Sequence, residues 1–126
     1  MTDQHKPGPA LNAAVARAIG WPYREWKDKR GRECCAWEPT TGGTIAPGLW
    51  RPSTDIADAM RAAVEMEPRG FTWGVLRRNN LASTRAFFIG PKAELTHADV
   101  NLADTNGDRL AALCLAICRA IVEAGR

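Results

Sequence analysis

Indole and guanidinium side chains crowd one part of this sequence. Of the five tryptophans, Trp21, Trp26, Trp37 and Trp50 fall within residues 21–50, alongside Arg24, Arg30 and Arg32 and next to Arg51. An indole face stacks on a planar ring, and a guanidinium fork grips a phosphate or carboxylate with two parallel hydrogen bonds. Together they suit a small nucleotide-like ligand. Trp26, Arg30, Trp37, Trp50 and Arg51 are the residues expected to hold it. TTGGT at 40–44 adds a candidate nest of backbone amides for an anion. The competing reading is that the indoles close the ends of a small core.

Other groups offer less. Four cysteines occur, as the adjacent pair Cys34 and Cys35 and as Cys114 and Cys118 four residues apart. Neighbouring residues on a strand point to opposite faces, so Cys34 and Cys35 do not readily share a metal. Cys114 and Cys118 fall on an apolar helical stripe, where a free thiol acts as a small hydrophobe. DTNGD at 104–108 opens like a calcium loop, but Arg109 and Leu115 occupy the positions that need Gly and Glu. Thr105 as helix N-cap with Asp108 at the third helical position explains it better. His97 and Asp99 share a strand face, yet no nucleophile accompanies them. No metal, cofactor or catalytic residue is expected, and the chain reads as non-enzymatic.

The elements that must position these groups follow from periodicity. The chain has 126 residues, 45% apolar and 25% charged, which fits one domain of ordinary soluble composition. Residues 1–9 read as a flexible lead-in, and 10–126 as a single domain. Leu11, Val15 and Ile19 recur every fourth residue, giving a helix over 10–19 that Gly20 stops. WPYREWKDKRGRE reads as loop and ECCAWE at 33–38 as a strand. Ser53, Thr54 and Asp55 read as the cap of a second helix, whose stripe is Ile56, Met60, Ala63 and Val64. Strands are expected at 71–76, 85–90 and 97–102, with NNLAST as a turn between the first two. The first two are apolar on both faces and should be covered on both; in the third, Ala98, Val100 and Leu102 alternate inward against His97, Asp99 and Asn101. A last helix near 106–124 buries Leu110, Leu113, Cys114, Ile117 and Ile121. The sum is an α+β fold: an α/β/α sandwich of about four mostly antiparallel strands with helices on both faces.

Three segments carry a family resemblance: LNAAVARAIGW, WRPSTDIADAM and ADTNGDRLAALCLAICRAIVEA. With Gly20-Trp21, Ser53-Thr54-Asp55 and the run 116–120 (AICRA) in order, the chain resembles the phage ABA-sandwich proteins, small phage and prophage proteins. It departs from their pattern at Asn106-Gly107-Asp108, which intervene before the last helix. The resemblance implies the sandwich fold and a phage accessory role, and carries over no catalytic residue.

The functional expectation is therefore a binding protein that sequesters a small nucleotide-like ligand, in the phage setting a host defence signal. The alternative is a protein-interaction module that occupies and inhibits a host protein. A net charge of +3 is small for tracking a nucleic-acid backbone. No apolar run approaches the length of a membrane span, and free thiols suit the host bacterial cytoplasm. A homodimer, with its interface forming the pocket, fits a protein of this size.

Overall fold

The computed structural model describes residues 6–78 and 82–126. Helix α1 spans Pro9–Ala18, with Pro9 at its first turn, where the missing amide proton costs nothing. Leu11 and Val15 on its buried face are fully enclosed. Gly20, at φ 86°, reverses the chain after it.

The stretch expected as loop is instead half of a hairpin. Strand β1, Tyr23–Lys27, pairs antiparallel with β2, Glu33–Trp37, in the register Tyr23 to Trp37 and Lys27 to Glu33. Asp28 organises the turn: its Oδ1 accepts the amide protons of Arg30 and Arg32 at 2.8 and 2.9 Å, and its Oδ2 accepts Arg32 Nε–H at 2.8 Å. Bonding to the Arg32 amide, more than any other contact, holds the Asp28 carboxyl below its ordinary pKa. Every residue of β1 is exposed, so burial left no apolar alternation to read.

Asp55 is the cap of helix α2, Ile56–Glu65, and accepts the amide protons of Ala57 and Asp58. Asp58 in turn accepts the Arg51 amide at 2.9 Å. The acidic residues of this segment thus serve local backbone. The buried face of α2 is Ala59, Ala62 and Ala63, while Met60 and Val64, expected inside, are 39% and 51% exposed. The helix turns its smallest side chains inward.

Strands β3 (Thr72–Arg78), β4 (Ser83–Ile89) and β5 (Leu95–Asn101) form an antiparallel sheet in that order. Residues 79–81 of the expected NNLAST turn, and 1–5 of the lead-in, lie outside the described residues. On one face Phe88, Ala86, Thr84 and Val100 are buried. The opposite face stays open, with Leu76 at 50%, Ile89 at 37% and Leu95 at 63% exposure. Cross-strand bonds dress this open face. Arg85 grips Asp99 through two contacts at 2.6 and 3.0 Å, and the Phe87 ring lies over Gly74, where a Cβ would meet it at 2.6 Å.

Helix α3, Arg109–Ala124, is central: it packs on β4 and β5 on one side and on α1 and α2 elsewhere. Ala112, Cys114, Leu115, Ala116, Ile117, Cys118, Ala120 and Ile121 are all buried, a surround rather than a stripe. Its cap is Asp108, which accepts the Ala111 amide at 3.0 Å, and not Thr105, whose hydroxyl donates to the Asp108 carbonyl at 2.8 Å. Leu110, expected inside, is 60% exposed on the first turn, before the sheet covers the helix.

The class is α+β with antiparallel pairing throughout. The layering differs from the expected sandwich of about four strands: among the described residues five strands divide between a hairpin and a three-stranded sheet, and α3 covers that sheet on one face. One apolar helix already satisfies the inner face, and α1 and α2 pack their buried faces on α3 instead.

Because α3 fits through small side chains, enlarging one should overpack it. Ala116→Leu is expected to cost about 1–3 kcal/mol, whereas Leu110→Ala should change stability by less than about 0.5 kcal/mol. Urea unfolding of both variants measures the difference.

Candidate functional site

A cleft of about 770 Å³ opens where α1, the hairpin and the segment before α2 meet. Helix α1 supplies Asn12, Ala13 and Arg17; the hairpin supplies Tyr23 and Trp37; Trp21 lies between them. Pro47, Trp50 and Arg51 form the wall on the α2 side. The rings pack in two tilted pairs, Trp21 with Trp50 at 4.5 Å between centroids and Tyr23 with Trp37 at 4.9 Å. The Arg61 guanidinium lies 5.3 Å above the Trp21 ring.

One buried amide side chain fixes the two walls. Asn12 accepts the Trp50 indole proton on its backbone carbonyl at 3.1 Å and the Ser53 amide on its Oδ1 at 2.9 Å. Ser53 Oγ accepts the Gly8 amide at 3.0 Å, tying the start of α1 to the same segment. Trp21 Nε1 is buried without a partner.

Arg17 and Arg51 are the charged residues of the lining, and both are exposed. Among the described residues no carboxylate lines the cleft, so the charges of its lining favour an anion. A hydrogen bond with Cys35, more than any other contact, raises the pKa of Tyr23 above its ordinary value.

Of the residues expected to form one site, Trp37, Trp50 and Arg51 meet in this cleft. Trp26 does not: it lines a second cleft of about 470 Å³ on the hairpin with Glu25, Lys27, Glu33 and both hairpin cysteines. Arg30 lines neither and sits in the turn, its amide bonded to Asp28. Arg17, Trp21 and Tyr23 join the cleft without having been singled out. Trp21 stood in the same indole-rich stretch, while Arg17 gave no signal beyond interrupting an apolar helix.

The indoles also close the core. Trp21, Trp37 and Trp50 are 1–4% exposed, so little of each indole is open to the cleft, whereas Tyr23 is 45% exposed. Trp73 is engaged elsewhere, donating to Glu67 at 2.8 Å and stacking on Phe88. The TTGGT segment faces α2, with Thr40 donating to Glu65 at 2.8 Å.

Among the described residues no group of three or more His, Cys, Asp or Glu is placed to hold a metal ion, and no helix is long and apolar enough to cross a membrane. The Asp99 carboxylate beside His97 is taken up by Arg85. No family model and no curated protein matches the sequence.

The two thiol pairs differ in chemistry. Burial pushes Cys114 from its ordinary 9.0 up to about 11, and raises Cys118 well above its ordinary value. Both hold their protons more tightly folded than unfolded. Their contribution to stability is therefore complete below pH 9 and is lost as pH climbs from there toward 11. The melting temperature of the native chain should fall more steeply between pH 9 and 11 than that of Cys114→Ala. At neutral pH, iodoacetamide should label Cys34 and Cys35 and spare Cys114 and Cys118, as read by peptide mass spectrometry.

Proposed function

We propose that this is a non-enzymatic binding protein whose aromatic cleft holds a small, nucleotide-like ligand. The observation that supports it is the cleft itself: about 770 Å³ within apolar walls, with Arg17 and Arg51 as its charged residues. That volume lies in the range of small-molecule sites. A ring rests on Tyr23 and the apolar wall, and the anionic group reaches the two guanidiniums. A cationic ligand would meet the same two charges with no carboxylate to offset them.

The resemblance to phage ABA-sandwich proteins supplies a setting. There the protein is a phage accessory factor of the host cytoplasm, and its ligand a host defence signal kept from its receptor by sequestration.

A second reading rests on a different observation. Leu76, Ile89 and Leu95 leave open apolar side chains around the Arg85–Asp99 pair on the outer face of the sheet, as on a module that occupies a host protein.

Thermal shift against a panel of nucleotides tests the first reading. The melting temperature should rise with at least one member. Arg17→Ala and Arg51→Ala should each weaken binding by about tenfold or more, since bonds to charged groups contribute about 1.5–3 kcal/mol. A panel without effect, combined with a host protein retained through the sheet face and lost on Leu95→Asp, would favour the second reading.

A further inference from the structure

Among the described residues the two sheets end in four outer strand edges, those of β1 and β2 on the hairpin and of β3 and β5 on the larger sheet. Three of them carry features that discourage another strand from pairing. Strand β1 is charged along its length through Arg24, Glu25 and Lys27. Strand β2 already bridges Ile45 at Trp37, and β5 sets His97 and Asp99 at its middle. Strand β3 has none of these. Its first five residues, 72–76 (TWGVL), hold no charge and no proline, and its ladder with β4 runs unbroken over all seven residues. Val75 on the inner face and Leu76 on the outer face are 42% and 50% exposed. Helix α3 packs on β4 and β5 rather than on β3, which leaves the edge clear. A long, regular, apolar edge of this kind is a template for a further strand.

We infer that the outer edge of β3 pairs antiparallel with β3 of a second copy of this chain, joining two three-stranded sheets into one of six. The inference is independent of the cleft reading, because β3 lines no part of that cleft. The strand's own symmetry selects a second copy as the occupant. Val75 is the middle residue of Thr72–Arg78. A two-fold axis beside it sets Val75 opposite its counterpart, Gly74 opposite Leu76, Trp73 opposite Arg77 and Thr72 opposite Arg78. Each arginine of the seam then faces an uncharged residue. By contrast, β1 paired with itself about Glu25 would set two carboxylates face to face. On the inner face Val75 packs on its counterpart, as β-branched cross-strand pairs do. On the outer face the second copy's Leu76 comes opposite Gly74 and against Phe87, the ring that lies over that glycine. Such an interface uses the same patch twice and so closes at two chains. The charged middle of β5 keeps the enlarged sheet from growing at its far edges.

Sedimentation equilibrium of the full chain over a concentration series tests this, and should approach the mass of two 13.8 kDa chains. Val75→Asp and Val75→Arg should each weaken the dimer by about hundredfold or more, since each sets like charges against each other at the axis. Mixing the two variants should restore a dimer holding one of each, which native mass spectrometry distinguishes by mass. Position 75 faces itself in this register and in no other, so the rescue reports the register as well as the edge. It also shows that both variants fold. Leu95→Asp, on the far strand, should leave the dimer intact. A native chain that stays monomeric throughout the series overturns the inference, including one that takes a strand of another protein at this edge. So does a dimer that tolerates Val75→Asp or is lost on Leu95→Asp, and so do two Val75 variants that fail to combine.

Discussion

Close approach of backbones around α3 is the constraint from which the rest of the molecule follows. Ala112, Ala116 and Ala120 on α3, and Ala59, Ala62 and Ala63 on α2, are fully buried, so helices meet through methyl groups. Short side chains permit the smaller interhelical distances and leave little space for large ones. Bulk is therefore placed elsewhere. Phe88 fills the sheet side of α3, and Trp21, Trp37 and Trp50 collect where α1, the hairpin and the segment before α2 converge. The cleft lies at that junction, where large flat rings pack at steep angles and cannot fill space as alanines do.

The carboxylates and hydroxyls near the cleft are occupied by backbone. Asp55 and Asp58 accept amides at the start of α2, Ser53 accepts the Gly8 amide, and Asp28 closes the hairpin turn. What lines the cleft is then a set of largely buried indoles, the exposed Tyr23 and two exposed arginines. Acceptors tied up in folding, beside guanidiniums open to solvent, give this end of the protein its chemical character.

Much of this was legible in the sequence, and the failures have physical causes. Turn chemistry and apolar periodicity place α1, α2, α3, β2 and all three strands of the larger sheet within a few residues. Strand β1 was hidden because Tyr23–Lys27 is exposed throughout, and a strand without a buried face shows no alternation. Met60, Val64 and Leu110 were placed inside because large apolar residues dominate a periodicity count, although the packed face of α2 is alanine. The expected cover on both faces of the first two strands of the larger sheet fails for a related reason: Leu76 and Ile89 look like core when only residue type is considered. In the cleft, local crowding of Trp and Arg brought out Trp37, Trp50 and Arg51. It could not separate Trp26 and Arg30, which share the stretch but are carried away by the hairpin. Arg17 comes from a helix more than thirty residues from Arg51, and composition has no view of that distance.

The position of Asn12 has a kinetic consequence. By bonding both Trp50 and Ser53 it joins segments some forty residues apart into one frame, and Gly8 fastens that frame again through Ser53. Under the proposed binding role, an incoming guest meets an aperture whose width is already set, with few torsions left to freeze. Competing guests of similar charge should then arrive at nearly the same speed, and what tells them apart is how long each remains.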